Sequence, residues 1–226
     1  MKTLKTIVIT LIFAGFTTLS HAVEFKAGIS VMGLSADGQG KEVSRGVETG
    51  ARTESIEGAL GSIFAEIGVD LPFGGVAIGV DIMPYDIADA AVSNKRSCGG
   101  SYNCQTNTAN VIVSDNMGAY LKLDIGDSGA YIKAMGTVHT VEVQESITNL
   151  STAGTGGTAS SYPDDEIAGG HLSVGLERDL GAFFVRGEVG MSEYTKASSH
   201  SSSGRTTVTA QIKNGTHAKI SIGKAF

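Results

Sequence analysis

From residue 23 onward, apolar and polar side chains alternate with a period of two in eight separate stretches. The clearest is His217–Phe226, where Ala218, Ile220 and Ile222 alternate with Lys219, Ser221 and Gly223. A period of two places successive side chains on opposite faces of an extended strand, whereas a helix repeats every 3.6 residues or so. The pattern therefore predicts an all-β chain.

The connections between the predicted strands alternate between short and long. Three are tight turns, and four are long and rich in Gly, Ser, Thr and Asn; the turns are Pro72–Gly75, Gly126–Gly129 and Arg178–Gly181, and the long connections are Ala36–Ser55, Pro84–Asn110, Ser146–Glu166 and Thr195–Arg205. The strands between them cover about Val23–Ser35, Ile56–Leu71, Val76–Met83, Val111–Ile125, Ala130–Glu145, Ile167–Glu177, Ala182–Tyr194 and Thr206–Phe226. Ten residues tilted by about 45° span roughly 23 Å, close to the apolar band of a membrane barrel.

The first 22 residues have a different pattern, with a positive start at Lys2 and Lys5 and an apolar stretch at Ile7–Phe16. Ser20-His21-Ala22 has the small-x-small form of a cleavage site. These features predict a secretory signal peptide over 1–22, with an N-terminal membrane anchor as the alternative. The remainder, 23–226, is predicted to be one domain, because no linker interrupts the rhythm of hairpins.

Composition narrows the class of function. The chain has 17 basic and 23 acidic residues, and it has no basic stripe of the kind that binds nucleic acid. After the signal peptide no run approaches the roughly 20 apolar residues of a transmembrane helix. Glycine is abundant at 31 residues and proline scarce at 3, which suits tightly curved sheets in which backbones approach closely.

The last strand carries a resemblance to a known family. Ile220, Ile222 and Phe226 are similar to the C-terminal signature of bacterial outer-membrane β-barrels, although Lys224 stands where that family more often has an apolar residue. Together with the signal peptide, strand count and turn asymmetry, the chain resembles the small eight-stranded OmpA/OmpX-like surface proteins of Gram-negative bacteria.

The resemblance implies an eight-stranded antiparallel up-and-down transmembrane β-barrel in the cell outer membrane. Its partners would be outer-membrane lipids and the barrel assembly machinery, which in that family reads the terminal Phe. The long connections would face outward and carry any recognition or adhesion of an extracellular ligand. The resemblance points to a surface or structural role. We expect no enzymatic activity and no cofactor.

Other functions stay open at this stage. A small porin, a lipid A-modifying enzyme and a soluble periplasmic binding barrel are the alternatives. A soluble barrel would place its apolar set inside, and alternation by itself does not separate that arrangement from a membrane barrel. His171 and Ser173 share one strand face, but no base and orienting group can be identified from the spacing.

The two cysteines, Cys98 and Cys104, lie in the longest connection. An even number of cysteines in an exported chain predicts a disulfide, which would stabilise the loop and not the barrel. The alternative is a zinc site, for which two thiols without a neighbouring histidine are poorly suited.

The strand face opposite the apolar set carries many charges, and four of them define a predicted ion network of Glu66, Asp81, Lys122 and Arg186. The turn at Pro72–Gly75 is expected to place Glu66 opposite Asp81, with Lys122 and Arg186 as shared cations. Unpaired charges in a closed lumen are costly, and eight strands leave an interior that side chains fill. The sequence therefore predicts a plugged lumen. On the opposite, lipid-facing side it predicts Phe25, Ile67, Val80, Leu121, Val174, Val185 and Ile220.

Overall fold

The structure, a computed structural model, describes residues 23–44, 47–71, 74–95, 105–149, 163–200 and 206–226. The strands within them are β1 (Val23–Ser44), β2 (Val47–Leu71), β3 (Gly74–Ile82), β4 (Ile87–Lys95), β5 (Gln105–Ile125), β6 (Ala130–Asn149), β7 (Asp165–Asp179), β8 (Phe184–Tyr194), β9 (Ala197–His200) and β10 (Thr206–Ala225). Among these residues, no helix is long and apolar enough to cross a membrane.

Eight of the strands form a closed antiparallel barrel, as the alternation predicts. Neighbours follow chain order from β1 through β2, β3, β5, β6, β7, β8 and β10, and β10 pairs with β1 to close the sheet. The two short strands are additions to this ring, because β4 pairs with β5 and β9 pairs with β10. Closure leaves the barrel wall without the unpaired edges of an open sheet.

Several strands are longer than the sequence predicts. β1, β2, β5 and β6 contain 20–25 residues each. The predicted connection Ala36–Ser55 is in fact a β1–β2 hairpin, paired as far as Ser44 and Val47. The glycine, serine and threonine content that suggests a loop is tolerated here because both strands hydrogen-bond along their whole length.

The predicted register of the second and third strands is wrong by two residues. Glu66 pairs with Gly79, and Asp81 pairs with Phe64. The ladder begins at Leu71 and Gly74, so glycines assigned to the turn belong to β3. A shift of two residues preserves the face of every side chain, because the strand repeat is also two.

The two faces of the wall are opposite in polarity. Outward side chains are apolar and exposed: Phe25 is 43% exposed, Leu121 42%, Val174 54% and Ile220 69%. Ile67, Val80 and Val185 share the same face by strand alternation and are half-buried. The buried side chains are largely polar or charged. This arrangement is the reverse of a soluble barrel and is the pattern of a transmembrane barrel.

Aromatic rings in the lumen lie against glycines of the neighbouring strand. A Cβ added at Gly79 would lie 2.3 Å from Cζ of Tyr120, and one added at Gly175 would lie 2.3 Å from Cζ of Tyr131. These glycines therefore provide flat surfaces on which the rings pack, which explains part of the glycine content of the strands.

Candidate functional site

The lumen is the part of the barrel where chemistry is concentrated. All four residues of the predicted network lie inside it, contributed by four different strands, β2, β3, β5 and β8. Glu66, Asp81, Lys122 and Arg186 are 3%, 6%, 1% and 2% exposed. Charged groups so far from water need close partners, and the structure supplies them.

Arg186 lies between two carboxylates. Its guanidinium donates to both oxygens of Glu66, at 2.8 and 3.1 Å, and its Nε donates to Oε2 of Glu177 at 2.9 Å. A planar guanidinium suits this role, because its donors are arranged as a rigid fork that matches carboxylate oxygens. The hydroxyl of Tyr120 also donates to Glu66, at 2.8 Å.

Two lysines extend the group around Arg186. Nζ of Lys122 lies 3.2 Å from Glu177 and 3.6 Å from Glu66, and Nζ of Lys26 lies 2.7 Å from Glu177. We call the five residues Lys26, Glu66, Lys122, Glu177 and Arg186 the central ion cluster. The predicted network omits Glu177, although strand alternation places that residue on the inner face. Glu177 is directly opposite Arg186 in the β7–β8 pair, and its contacts with Lys26 and Lys122 depend on the barrel closing so that β7 faces β1 and β5.

Asp81 does not belong to the central ion cluster. Its carboxylate pairs with Lys219 of β10, on the far side of the barrel from β3. The expectation that Glu66 and Asp81 share a cation is therefore wrong. The two-residue register difference separates the carboxylates along the strands, and each finds its own partner.

A further buried pair links β6 and β8. Nζ of Lys133 donates to both oxygens of Glu188, at 2.5 and 2.6 Å, and the hydroxyl of Tyr131 donates to the same carboxylate at 3.0 Å. The lumen charges are thus compensated locally by direct contacts.

Aromatic faces complete the packing around the cations. The guanidinium carbon of Arg186 lies 5.2 Å from the ring centre of Phe184, 5.3 Å from that of Phe64 and 5.4 Å from that of Tyr131. Contacts of this length are favourable cation–π interactions, especially where water is absent.

Two small cavities adjoin the buried ion pairs of the lumen. One cavity of about 20 Å³ adjoins Lys26, Glu66 and Lys122, and another of about 20 Å³ adjoins Asp81, His139 and Lys219. Each has room for about one water molecule.

The half of the lumen farther from the turn at Gly126–Gly129 has a different chemistry, based on histidines and neutral polar groups. Nδ1 of His139 lies 2.6 Å from Oδ1 of Asn116, and its Nε2 lies 3.0 Å from Oγ1 of Thr137. His171 contacts Thr137 through Nε2 at 3.4 Å. All of these side chains are buried.

The chain of contacts continues through a serine. Oγ of Ser192 lies 2.9 Å from Nδ1 of His171 and 3.0 Å from Nδ1 of His217. The ring of Tyr194 packs at 5.6 Å from both His139 and His171. We call the six residues Asn116, Thr137, His139, His171, Ser192 and His217 the histidine chain. His171 and Ser173 share one strand face, but the hydroxyl partners of His171 are Thr137 of β6 and Ser192 of β8.

No group of three or more His, Cys, Asp or Glu side chains within the described ranges is arranged to hold a metal ion. Cys98 and Cys104 lie outside those ranges, as does the segment 1–22. Their disulfide and the signal peptide stay predictions.

The terminal strand lies in the wall with its apolar residues outward. Ile220, Ile222 and Phe226 are 69%, 47% and 70% exposed. The backbone N–H of Phe226 donates to the carbonyl of Phe25 at 2.8 Å, and the two rings lie 5.8 Å apart. The three residues of the predicted assembly signal therefore lie on one outer surface, at the seam where β10 meets β1.

Comparisons with known proteins identify no matching family model and no matching curated protein. Among solved structures, the chain is similar to the outer membrane protein OprG from Pseudomonas aeruginosa, at 12% identity and TM-score 0.49, over 91% of this chain and 97% of that one.

It is also similar to Ail, the attachment invasion locus protein of Yersinia pestis, solved in complex with the heparin analogue sucrose octasulfate. The identity is 9% and the TM-score 0.28, over 89% of this chain and 99% of Ail. The outer membrane protease OmpT from Escherichia coli matches at 10% identity and TM-score 0.38, over 93% and 99%. The fold assignment itself rests on the strand pairing and closure described above.

Proposed function

We propose that this protein is an integral outer-membrane β-barrel with a surface or structural role, whose lumen is closed by side chains and whose outer hairpins carry recognition or adhesion. The observation that carries the proposal is the reversed polarity of the wall. Exposed apolar residues such as Val174 and Ile220 surround a lumen that holds the buried central ion cluster. An apolar exterior of this kind is stable in lipid and would aggregate in water.

The lengths of the strands support an outward role. A strand crosses a membrane in about 9–11 residues, whereas β1 and β2 contain 22 and 25. The excess length would extend both strands beyond the bilayer, on the side opposite the tight turn at Gly126–Gly129. In outer-membrane barrels the short turns lie in the periplasm, so the extended hairpins would stand on the cell surface.

The filled lumen favours this role over that of a porin. A solute would have to displace Arg186 from Glu66 and Glu177, and separating buried, hydrogen-bonded ion pairs is costly. The cavity beside Glu66 has room for about one water molecule.

Planar bilayer recordings test the closed lumen. We expect the refolded barrel, at neutral pH and high salt, to give no sustained conductance steps. The double variant Lys122→Met, Arg186→Met serves as the comparison, because it removes two cations from the cluster. Steady conductance of the unmodified protein, comparable with that of a known porin control, would instead identify a channel.

Lipid A mass analysis tests the enzymatic alternative. Cells that express the protein should have lipid A of the same mass as cells with an empty vector. A new acylated or deacylated species that depends on Ser192 would identify a lipid-modifying enzyme and overturn the proposal.

A further inference from the structure

We infer that the histidine chain is a single proton-accepting relay, in which the tautomer of each ring is fixed and a proton enters at Nε2 of His217. This inference goes beyond the proposed function and does not depend on it. It follows from the directions of the hydrogen bonds, which can be traced from one end of the chain to the other.

The direction is set at Asn116. Its amide Nδ2 lies 3.5 Å from the carbonyl oxygen of Tyr85 and 3.4 Å from that of Val113, so the amide nitrogen points toward two acceptors. Oδ1 therefore faces Nδ1 of His139 at 2.6 Å. An amide oxygen accepts and never donates, so Nδ1 of His139 carries the hydrogen.

The first hydroxyl transmits this direction. A neutral imidazole with a hydrogen on Nδ1 has a lone pair on Nε2, so Nε2 of His139 accepts from the hydroxyl of Thr137. That hydroxyl has a single hydrogen, and its oxygen accepts from the other side. The contact between Thr137 and Nε2 of His171 therefore requires the hydrogen of His171 on Nε2.

The second hydroxyl repeats the step. Nδ1 of His171 has the lone pair and accepts from the hydroxyl of Ser192, whose oxygen in turn accepts from Nδ1–H of His217. Ser192 also hydrogen-bonds the Tyr194 hydroxyl, and Tyr194 is the donor there, because the single hydrogen of the serine is used toward His171. Nε2 of His217 then carries a lone pair, and no hydrogen bond to it is present among the described residues. The tautomers alternate along the chain as Nδ1–H, Nε2–H and Nδ1–H, and its open end is His217.

A proton that binds at this open end can be passed along without any ring turning over. A new N–H bond forms at Nε2 of His217, and the Nδ1 proton moves to Oγ of Ser192 as the serine hydrogen moves to His171. A second exchange through Thr137 carries the positive charge to His139. The transfer stops there, because the oxygen of Asn116 accepts a hydrogen bond without passing a proton on.

The charged side chains that face the histidine chain are paired with one another and not with the histidines. Lys133 from β6 and Lys219 from β10 face His171 and His217, and Glu188 from β8 faces His217. Both oxygens of Glu188 are bonded to Lys133, and Asp81 is paired with Lys219. No carboxylate hydrogen-bonds a histidine of the chain within the described residues, and the positive charges of Lys133 and Lys219 repel a proton on His171 and His217. Tyr194 from β8 also faces His139 and His171 and is neutral, so the direct partners of a bound proton are neutral groups.

The experiment is nuclear magnetic resonance of the full mature barrel, labelled with ¹⁵N at histidine and refolded in detergent micelles. Long-range ¹H–¹⁵N spectra at neutral pH distinguish the two tautomers of each ring. The expected pattern is a hydrogen on Nδ1 of His139 and His217 and on Nε2 of His171. The exposed His200, assigned through His200→Gln, is the internal reference for a ring outside the chain.

A pH titration with Ser192→Ala tests the coupling. In the unmodified protein the signals of His171 and His217 should share their inflections, and the variant should lose the shared inflection for His217 while His200 is unchanged. A hydrogen on Nδ1 of His171, or independent titration of all three rings in the unmodified protein, would overturn the inference. If Ser192→Ala does not fold, the tautomer pattern of the unmodified protein decides.

Discussion

Single glycines determine how closely the aromatic side chains of the lumen approach the barrel wall. Tyr120 packs on Gly79, and Tyr131 packs on Gly175. Both tyrosines are fully buried, and their hydroxyls bond to Glu66 and Glu188. The glycines thus affect the ion pairs indirectly. They allow the tyrosine rings to lie flat against the wall, and in that position the hydroxyls reach the carboxylates.

Gly79→Ala should therefore destabilise the barrel. The new methyl group would overlap the ring of Tyr120, and overpacking of this kind costs about 1–3 kcal/mol. The control is Gly136→Ala, a strand position where an added Cβ would meet nothing within 4 Å. Urea unfolding in lipid vesicles is the measurement. Equal midpoints for the two variants would show that the wall relaxes without cost at Gly79.

Arg186 connects more buried groups than any other cation of the central ion cluster. Arg186→Met should lower the free energy of unfolding by about 3–5 kcal/mol, because Glu66 and Glu177 lose a hydrogen-bonded cation inside the barrel, where Glu66 is buried. Arg178→Met, at an exposed arginine of the same hairpin, should change it by less than about 0.5 kcal/mol. Similar unfolding midpoints for both variants would show that the central ion cluster does not contribute measurably to the stability of the barrel.

At the scale of elements, each strand presents one face to the lumen and the other to the surroundings. Leu121 and Lys122 are adjacent in β5, yet the leucine is 42% exposed and the lysine 1%. Strand alternation alone separates them. The structure shows in addition which face is which: the apolar side chains lie on the outside of the barrel and the charged side chains in the lumen.

Leu121→Arg should cost about 2–4 kcal/mol if that outer face lies near the middle of a bilayer. Glu193→Arg, an exposed change at the outer end of β8, should cost about 0–1 kcal/mol, because charges near the interface reach water. Reversible unfolding from vesicles measures both. If the Leu121 variant were as stable as the unmodified protein in lipid, its face would not contact the membrane core.

The seam between β10 and β1 is where we expect assembly, more than stability, to depend on sequence. We propose that Ile220, Ile222 and Phe226 are read by the assembly machinery. Deletion of Phe226 removes one backbone hydrogen bond and one ring contact with Phe25, so refolding in vitro should change little. The amount of protein inserted into the outer membrane of cells should fall clearly.

Phe25→Ala is the matched control, since it removes the same ring contact and keeps the terminal Phe. Outer-membrane fractions and refolding yields of both variants separate the two effects. Equal insertion of the deletion variant and the unmodified protein would exclude the proposed signal.

At the scale of the whole molecule, the barrel has two unlike ends. At one end, short connections such as the turn at Gly126–Gly129 join neighbouring strands. At the other end, the long strands β1, β2, β5, β6 and β10 extend well past the ends of β3 and β8. An epitope inserted at Pro163–Asp164 should bind antibody on intact cells, and one inserted at Asp127–Ser128 only after permeabilisation. The reverse accessibility would invert the orientation of the barrel.

The closed barrel should also resist detergent. Unheated samples in sodium dodecyl sulfate should migrate faster on gels than boiled samples, because a hydrogen-bonded barrel without edges unfolds only on heating. Identical migration of the two samples would indicate a structure that opens in detergent, as expected for a soluble sheet.

The sequence by itself determined the class of fold and the face of each residue. Alternation with a period of two depends on local backbone geometry, so it separated Leu121 from Lys122 and placed Glu66, Asp81, Lys122 and Arg186 together on the inner face. The apolar exterior followed less directly, because the same alternation fits a soluble barrel. Strand ends were underestimated in β1, β2, β5 and β6, most clearly in the β1–β2 hairpin, where glycine, serine and threonine occupy paired positions.

Only the tertiary structure decided which charges meet. A register of two residues separates Glu66 from Asp81 without changing the face of either, and alternation carries no information about such a shift. The partnership of Asp81 with Lys219, and of Arg186 with Glu66, depends on closure of β1 against β10. Arg186 and Glu177 instead pair across the β7–β8 hairpin, where the register places them directly opposite each other. The histidine chain likewise joins residues from several strands. Contacts across the lumen depend on the number and register of all the strands, and the pattern within one strand carries no information about either.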